Sequence, residues 1–396
     1  MTAFLHGVLQ RSPEFEPSII SLATSVSDSA SVGLRRPRSW FRGPQVETRT
    51  WRGIPYRHVG ACLPEIEPRR YRPRAIGDQL LQEYDLVQFV LGTPPFLCMA
   101  ERLRQPVLLW TATTVRTDRA SQLRAGPIHR QLWYRFFFRR IAQLEARALA
   151  RADRVFVLSH YTRETLRKNG YNRGVVVAPC GVDTSKFLPA PAPGPQSIVS
   201  VGRFSDVRKN VGLLFRAYAA LCQLLPECPR LVVVGDAPSD DVLRMLQLLG
   251  IADKVYLTGP KSGDELVALY QQASVFALAS NEEGLGIVIL EAMACGLPIV
   301  STDCGGPRTA VDEGRNGLLT PVGDADALTR AMHRLITNPE LRANMGLESR
   351  RRAEALFSLE SVGETFLSQY RTILSSPRST DCPPAAPAQI RGEPSP

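Results

Sequence analysis

The chain has 396 residues, 48 Lys and Arg against 38 Asp and Glu, and 44% hydrophobic residues. That length exceeds what one core usually supports, roughly 250–300 residues, so two domains are expected. Ordinary charged and apolar fractions exclude whole-chain disorder, collagen and coiled coil, and no run approaches the ~18–20 apolar residues that span a bilayer.

No basic region followed by a long apolar run opens the sequence, so a signal peptide is not expected. The eight cysteines form no C-x-x-C pair and no cluster with His at metal spacing, which predicts reduced thiols in a cytosolic protein. Charge is uneven: residues 1–195 hold 29 basic and 15 acidic side chains, a net of +14, and the remainder is at −4. Such a basic half suits an anionic partner: a membrane surface, a phosphorylated acceptor or nucleic acid. The plainer alternative is a solvated Arg-rich surface.

In chain order, the first half predicts strands at 17–24, near 54–60, and at 85–92, 105–113, 153–159 and 174–179. Leu188-Pro-Ala-Pro-Ala-Pro-Gly-Pro195 then alternates prolines, which favours an extended connector. The second half alternates apolar β-branched runs at 198–202, 231–235, 254–259, 274–280 and 298–303 with helical patterns at 210–224, 239–249, 263–272 and 286–295. Near-continuous Val/Ile/Leu runs between amphipathic helices predict a parallel sheet covered on both faces, a doubly wound α/β domain. Its ligands belong at the carboxyl ends of the strands, after Gly202, Gly235, Gly259, Ser280 and Asp303. From Ser375 to Pro396 the chain is rich in Pro, Ala and Ser and predicts a disordered tail.

Two constellations stand at those strand ends. Gly202-Arg203-Phe-Ser-Asp-Val-Arg-Lys209 places an Arg and a Lys before a helix start. Helix N–H groups, a guanidinium and an ammonium together suit a diphosphate. Then comes Asn281-Glu-Glu283-Gly284-Leu285-Gly286-Ile287-Val288-Ile-Leu-Glu291-Ala-Met-Ala-Cys-Gly296. Its glycines allow close backbone approach at a helix start, and its two carboxylates can accept from sugar hydroxyls. Read singly, each constellation could equally be loop cations, a capping acid and a solvated helix acid.

Read together with Val-Gly-Asp236, Leu-Thr-Gly-Pro260, Ser-Thr-Asp303-Cys-Gly-Gly306 and Glu313-Gly-Arg-Asn-Gly, these strings closely resemble glycosyltransferase family 4. The resemblance covers about residues 150–370 and includes Ala152-Asp-Arg-Val-Phe-Val-Leu-Ser159 and Val177-Ala-Pro-Cys180-Gly-Val-Asp183. It implies a GT-B fold: an N-terminal Rossmann-like acceptor domain at 1–188, a linker at 189–196 and a nucleotide-sugar domain at 197–360. A C-terminal helix at 361–374 would pack back toward the first domain, ahead of the tail at 375–396, and the two domains would face a central cleft.

The resemblance also implies a retaining hexosyltransferase acting without metal or other cofactor on a nucleoside-diphosphate sugar. Arg203 and Lys209 would bind the diphosphate and, with Glu283, make up the reaction centre. Glu283 would hold the transferred sugar, with Gly202 and the backbone of Gly284, Leu285, Gly286, Ile287 and Val288 close to the donor. Glu291 would hold the ribose, and Pro260 would lie near the base. The acceptor would be a glycan, lipid or small molecule of polysaccharide or envelope synthesis, with no nucleic-acid partner. A GT-B phosphorylase or epimerase, or a degenerate nucleotide-sugar-binding protein, are the rivals.

Besides Cys180, where the family often has Asn, three features matter. The family's His after the strand at 105–113 is lacking in Trp110-Thr-Ala-Thr-Thr-Val, and His160 is a distant substitute that would more simply cap a helix. Arg130–Arg140 mixes aromatics with Arg, as would a helix lying on an anionic membrane or one packed on its sheet. Finally, Met1–Gln10 reads as the helix that would follow the first strand. A chain lacking that strand and its Gly-rich turn, and therefore poorly stable or inactive, is the expectation.

Overall fold

The structure, a computed structural model, describes residues 1–25, 27–34, 37–51, 53–118, 128–190, 197–236 and 239–375. Most of the Pro-rich connector and nearly all of the tail lie outside the described residues. The chain forms two compact units: Met1–Leu158, Thr162–Ala178 and Thr365 onward make one, and Ser159–Tyr161 with Pro179–Glu364 make the other.

The first unit holds two sheets. Strands β1 (Ile20–Leu22), β2 (Val46–Trp51) and β3 (Ile54–Val59) run in the order β1-β3-β2. β1 and β3 are parallel, and β2 returns on β3 through a hairpin with Gly53 at φ +79°. β2 has no counterpart among the sequence-based expectations, because VETRTW is a half-polar edge with no apolar run to announce it.

The second sheet is wholly parallel: β4 (Val87–Leu91), β5 (Val107–Thr111), β6 (Arg154–Val157) and β7 (Val175–Val177), in that order. Every residue of β5 is buried, so it reads as an unbroken apolar run. Trp110 at its centre donates from Nε1 to the Ala178 carbonyl at 2.9 Å. Phe366, from the helix Leu359–Ser375, packs on the Trp110 and Phe156 rings at 4.7 and 4.6 Å. Tyr370 of the same helix donates to Gln88 Oε1 at 2.9 Å. The opening helix Thr2–Gln10 adds Phe4 to this aromatic cluster.

The second unit is one six-stranded parallel sheet: β8 (Ser197–Arg203), β9 (Arg230–Asp236), β10 (Val255–Gly259), β11 (Val275–Leu278), β12 (Ile299–Thr302) and β13 (Gly317–Thr320). Their order is β10-β9-β8-β11-β12-β13. Helices Val211–Leu224, Asp240–Leu248, Gly263–Gln271 and Ile287–Ala294 stand where the periodicity places them. The chain builds outward from β8 through β9 to β10, then crosses to β11 on β8's other side. The carboxyl ends of β8 and β11 therefore flank the topological switch point, where such sheets bind ligands.

One expectation is corrected here. Cys222 and Cys228 form a disulfide, with Cα atoms 5.0 Å apart and a sequence separation of 6, so the thiols are not all reduced. The short turn between the end of the helix Val211–Leu224 and β9 brings them together. Cys62, Cys98, Cys180, Cys295 and Cys304 are free.

Candidate functional site

At the end of β8, Gly202 and Arg203 lead into a short loop closed by a helical turn at Val207–Lys209. Asp206 caps that turn by accepting from the Arg208 backbone N–H at 3.0 Å. Asn210, in the left-handed region at φ +41°, then caps the helix Val211–Leu224 by accepting from Leu213 N–H at 3.3 Å. These caps bring the Lys209 side chain back toward β8. Its Cδ lies 3.9 Å from where a Cβ on Gly202 would stand.

The β11 end supplies the opposing charge. Lys209 Nζ donates to Glu283 Oε1 at 2.6 Å, with side-chain exposures of 16% and 9%. Ser280, fully buried, donates its hydroxyl to the same Oε1 at 2.7 Å. Thr302 at the end of β12 in turn donates to the Ser280 carbonyl. Glu283 Oε2 has no hydrogen-bond partner among the described residues. Lys209 is thus not a solvated loop cation, the plainer alternative: charge attraction to a largely buried carboxylate pulls it inward. Arg203 is exposed, and its guanidinium makes no hydrogen bond or ion pair with a described residue.

Gly286, at φ +83°, turns the chain from Glu283 into the helix Ile287–Ala294. The first N–H groups of a helix have no intrahelical partner, so this start offers donors and a positive dipole end. Gly306 donates its N–H to the Glu283 carbonyl at 3.1 Å, and a Cβ on it would fall 2.5 Å from that oxygen. Only glycine lets the β12 loop press so closely on the glutamate.

Glu291, on the same helix, is no solvated acid. It is partly buried and accepts from the Tyr270 hydroxyl at 2.9 Å. Burial pushes its pKa up, opposed by that hydrogen bond and by the charge of Lys186. Gly202 and Arg203 thus end β8, Lys209 stands on the turn that follows, Glu283, Gly284, Leu285 and Gly286 form the loop after β11, and Ile287, Val288 and Glu291 lie on the helix that this loop opens. Pro260 stands apart, exposed at the end of the edge strand β10, two strands from β8. Ser280, Tyr270, Lys186 and Gly306 carry no roles in the sequence reading. Of these, Ser280 has a sequence signal as the last residue of an apolar strand run, and Gly306 as part of the Asp303-Cys-Gly-Gly306 string.

In the first unit, Thr111 and Thr114 are fully buried, and Val115 N–H donates to Glu145 at 2.8 Å, so the stretch without His is packed and bonded. His160 donates its backbone N–H to Thr309 Oγ1 at 3.1 Å as it opens the helix His160–Lys168. Of the aromatic-Arg stretch, the side chains of residues 130–135 lie outside the described residues. Phe137 and Phe138 pack against Tyr71, Val115 and Ile141, whereas Phe136 is 75% exposed. Among the described residues no helix is long and apolar enough to cross a membrane.

A parallel six-stranded unit with anion donors at its switch point, joined to a second α/β unit, defines a GT-B protein with Rossmann-like domains. Residues 183–352 match the family model for glycosyl transferases group 1, and residues 29–186 that for glycosyltransferase family 4. The chain belongs to this glycosyltransferase family.

Among relatives, it is 31% identical over 257 residues to a D-inositol 3-phosphate glycosyltransferase of Saccharomonospora viridis, covering 60% of this chain and 59% of that protein. It is 33% identical over 217 residues to a GDP-mannose-dependent alpha-(1-6)-phosphatidylinositol monomannoside mannosyltransferase of Mycolicibacterium smegmatis, covering 50% and 57%. The chain thus spans less than two thirds of the length of these curated relatives. In fold it is similar to sucrose-phosphate synthase of Thermosynechococcus elongatus, with TM-score 0.68, 22% identity, and 94% and 92% of the two chains covered. It is also similar to Anabaena HepE in complex with UDP-glucose, with TM-score 0.61, 20% identity, and 75% and 81% covered.

Proposed function

We propose that the chain moves a hexosyl group from a nucleoside-diphosphate sugar to an acceptor, with retention of configuration and without a metal. The observation that carries this reading is the Lys209–Glu283 pair beside a helix start at the switch point. Arg203, Lys209 and the N–H groups of Ile287 and Val288 would neutralise the leaving diphosphate as its bond to the sugar breaks, the service a metal supplies elsewhere. Glu283 would accept from sugar hydroxyls through Oε2, Glu291 from the ribose, and Pro260 would border the base.

The relatives named above act, by their names, on an inositol phosphate and a phosphatidylinositol mannoside. The +14 charge of residues 1–195 suits an acceptor of that phosphate-bearing kind, in polysaccharide or envelope glycoconjugate synthesis. The same charge, with Phe136 exposed beside Arg139 and Arg140, suits a cytoplasmic protein resting on an anionic membrane. Sedimentation with anionic but not neutral vesicles, lost at high salt, tests that placement. No sedimentation with anionic vesicles at low salt refutes it.

The deciding experiment is a panel of UDP, GDP and ADP sugars, read by thermal shift and by transfer of labelled sugar. A true donor at about 100 times its dissociation constant stabilises the protein by about 2.7 kcal/mol. Absence of both stabilisation and transfer across the panel overturns the reading. A second reading, nucleotide-sugar binding without turnover, is favoured by the lack of His in Trp110–Val115. Stabilisation with neither transfer nor donor hydrolysis would establish it.

A further inference from the structure

Tyr270 lies behind Glu291. It sits on the helix Gly263–Gln271, is fully buried, and its ring contacts Phe187 and Phe276 at centroid distances of 6.1 and 6.3 Å. A buried phenol needs a hydrogen-bond partner. Here the hydroxyl donates to Glu291 Oε2 at 2.9 Å, with the Val288 carbonyl at 3.4 Å. Glu291 Oε1 has no hydrogen-bond partner among the described residues. A partly buried carboxylate costs the fold more than a neutral group of the same shape would.

We propose that Tyr270 is a positioning residue for Glu291: its hydroxyl ties down one carboxylate oxygen and leaves the other to accept from a ribose hydroxyl of a nucleoside diphosphate. The inference rests on the reading of Glu291 as the ribose ligand. Fixing one oxygen removes the rotation of the carboxylate that a ligand would otherwise have to arrest.

The hydroxyl also sets the charge. Burial pushes the Glu291 carboxyl upward, and the Tyr270 hydrogen bond is the main opposing influence, followed by Lys186. Cys295 at the end of the same helix also faces it, and Arg350 of the helix Pro339–Phe357 stands beside Cys295. Without the tyrosine hydroxyl, protonation of Glu291 extends to higher pH.

The test is Tyr270→Phe in the full chain, which keeps the ring and removes only the hydroxyl. UDP, GDP and ADP are titrated across pH, with wild type, Glu291→Gln and the double variant alongside. Tyr270→Phe is expected to weaken binding on the order of 10-fold or more at neutral pH, because the ribose then loses its hydrogen bond to a fixed, charged carboxylate. Part of that loss should return as pH rises, and the double variant should bind no worse than Glu291→Gln alone. Loss of equal size at every pH, or further loss in the double variant, overturns the proposal.

Thermal melts need no ligand. Tyr270→Phe should lose more stability at high pH than at low, and adding Glu291→Gln should remove that dependence. If wild type binds no nucleotide, the donor reading fails, and the melts still decide whether Tyr270 supports the charge of Glu291. A pH-independent melting loss refutes it.

Discussion

Glu283 and Glu291 belong to one short sequence string, yet the fold keeps them in two different ways. Glu283 precedes the helix Ile287–Ala294 and receives its partners across the switch point, a lysine from the β8 loop and a serine from the end of β11. Glu291 lies within the helix and receives a fully buried tyrosine from a neighbouring helix. The first is held by an opposite charge and the second by burial and one neutral donor. Opposite charges can be traded for a ligand's charges, so the Glu283 pair is suited to open when phosphate arrives. The Glu291 contact has nothing to trade and is suited to stay.

The largest break in this comparison should come from Lys209→Ala. It leaves Glu283 largely buried with its charge unpaired, which costs up to about 3–5 kcal/mol. Lys209→Ala with Glu283→Gln removes that charge, so denaturant unfolding should show much of the loss restored. Arg203→Ala is the contrast: it is exposed, and stability should be unchanged while donor affinity falls by about 1.5–3 kcal/mol. Equal destabilisation by the two variants would contradict the account of Lys209.

The two glutamates should next separate by ligand. Glu291→Gln should weaken even free nucleoside diphosphate, because ribose is common to all donors. Glu283→Gln should bind the diphosphate nearly as wild type and lose sugar transfer. Identical profiles in calorimetry and turnover would remove the division of labour.

They should separate by pH as well. Burial raises the folded Glu291 pKa above its ordinary 4.5. The stability linked to its protonated form is therefore complete below that value and is lost as pH rises through the folded pKa. Glu291→Gln removes this dependence, so its melting temperature relative to wild type should climb as pH increases over that window. A constant difference would mean that burial does not penalise the charge.

The sheet of the second unit was legible because its strands are buried on both faces and read as apolar runs. β2 was not, being a polar edge, and β13, GLLT, is too short to stand out before the helix Ala325–Thr337. In the site, Arg203, Lys209, Glu283 and Glu291 were legible as residue types at strand ends and helix starts. That Lys209 and Glu283 meet was not, since 74 positions separate them and only the β8–β11 adjacency joins them. Tyr270 was hidden for the same reason, an ordinary helical aromatic until the neighbouring helix places a carboxylate against it. The disulfide was missed because cysteines six apart match no metal or redox motif.

The smallest expected effect belongs to Ser280→Ala. Ser280 gives Glu283 Oε1 its second donor and is fully buried, but Lys209 remains on the same oxygen. Losing a hydroxyl–carboxylate bond while the charge stays paired should cost about 1.5 kcal/mol, the low end for a bond to a charged group and less than the loss of the lysine. Packing changes little, because the change removes one oxygen and Thr302 bonds the Ser280 carbonyl rather than its side chain. The useful quantity is the coupling between Ser280→Ala and Lys209→Ala in a double-mutant cycle of unfolding free energies. A non-zero coupling means that both donors act through one carboxylate oxygen. Additive effects, or a Ser280→Ala loss as large as that of Lys209→Ala, would show that Glu283 is held by burial after all, and the contrast with Glu291 would collapse.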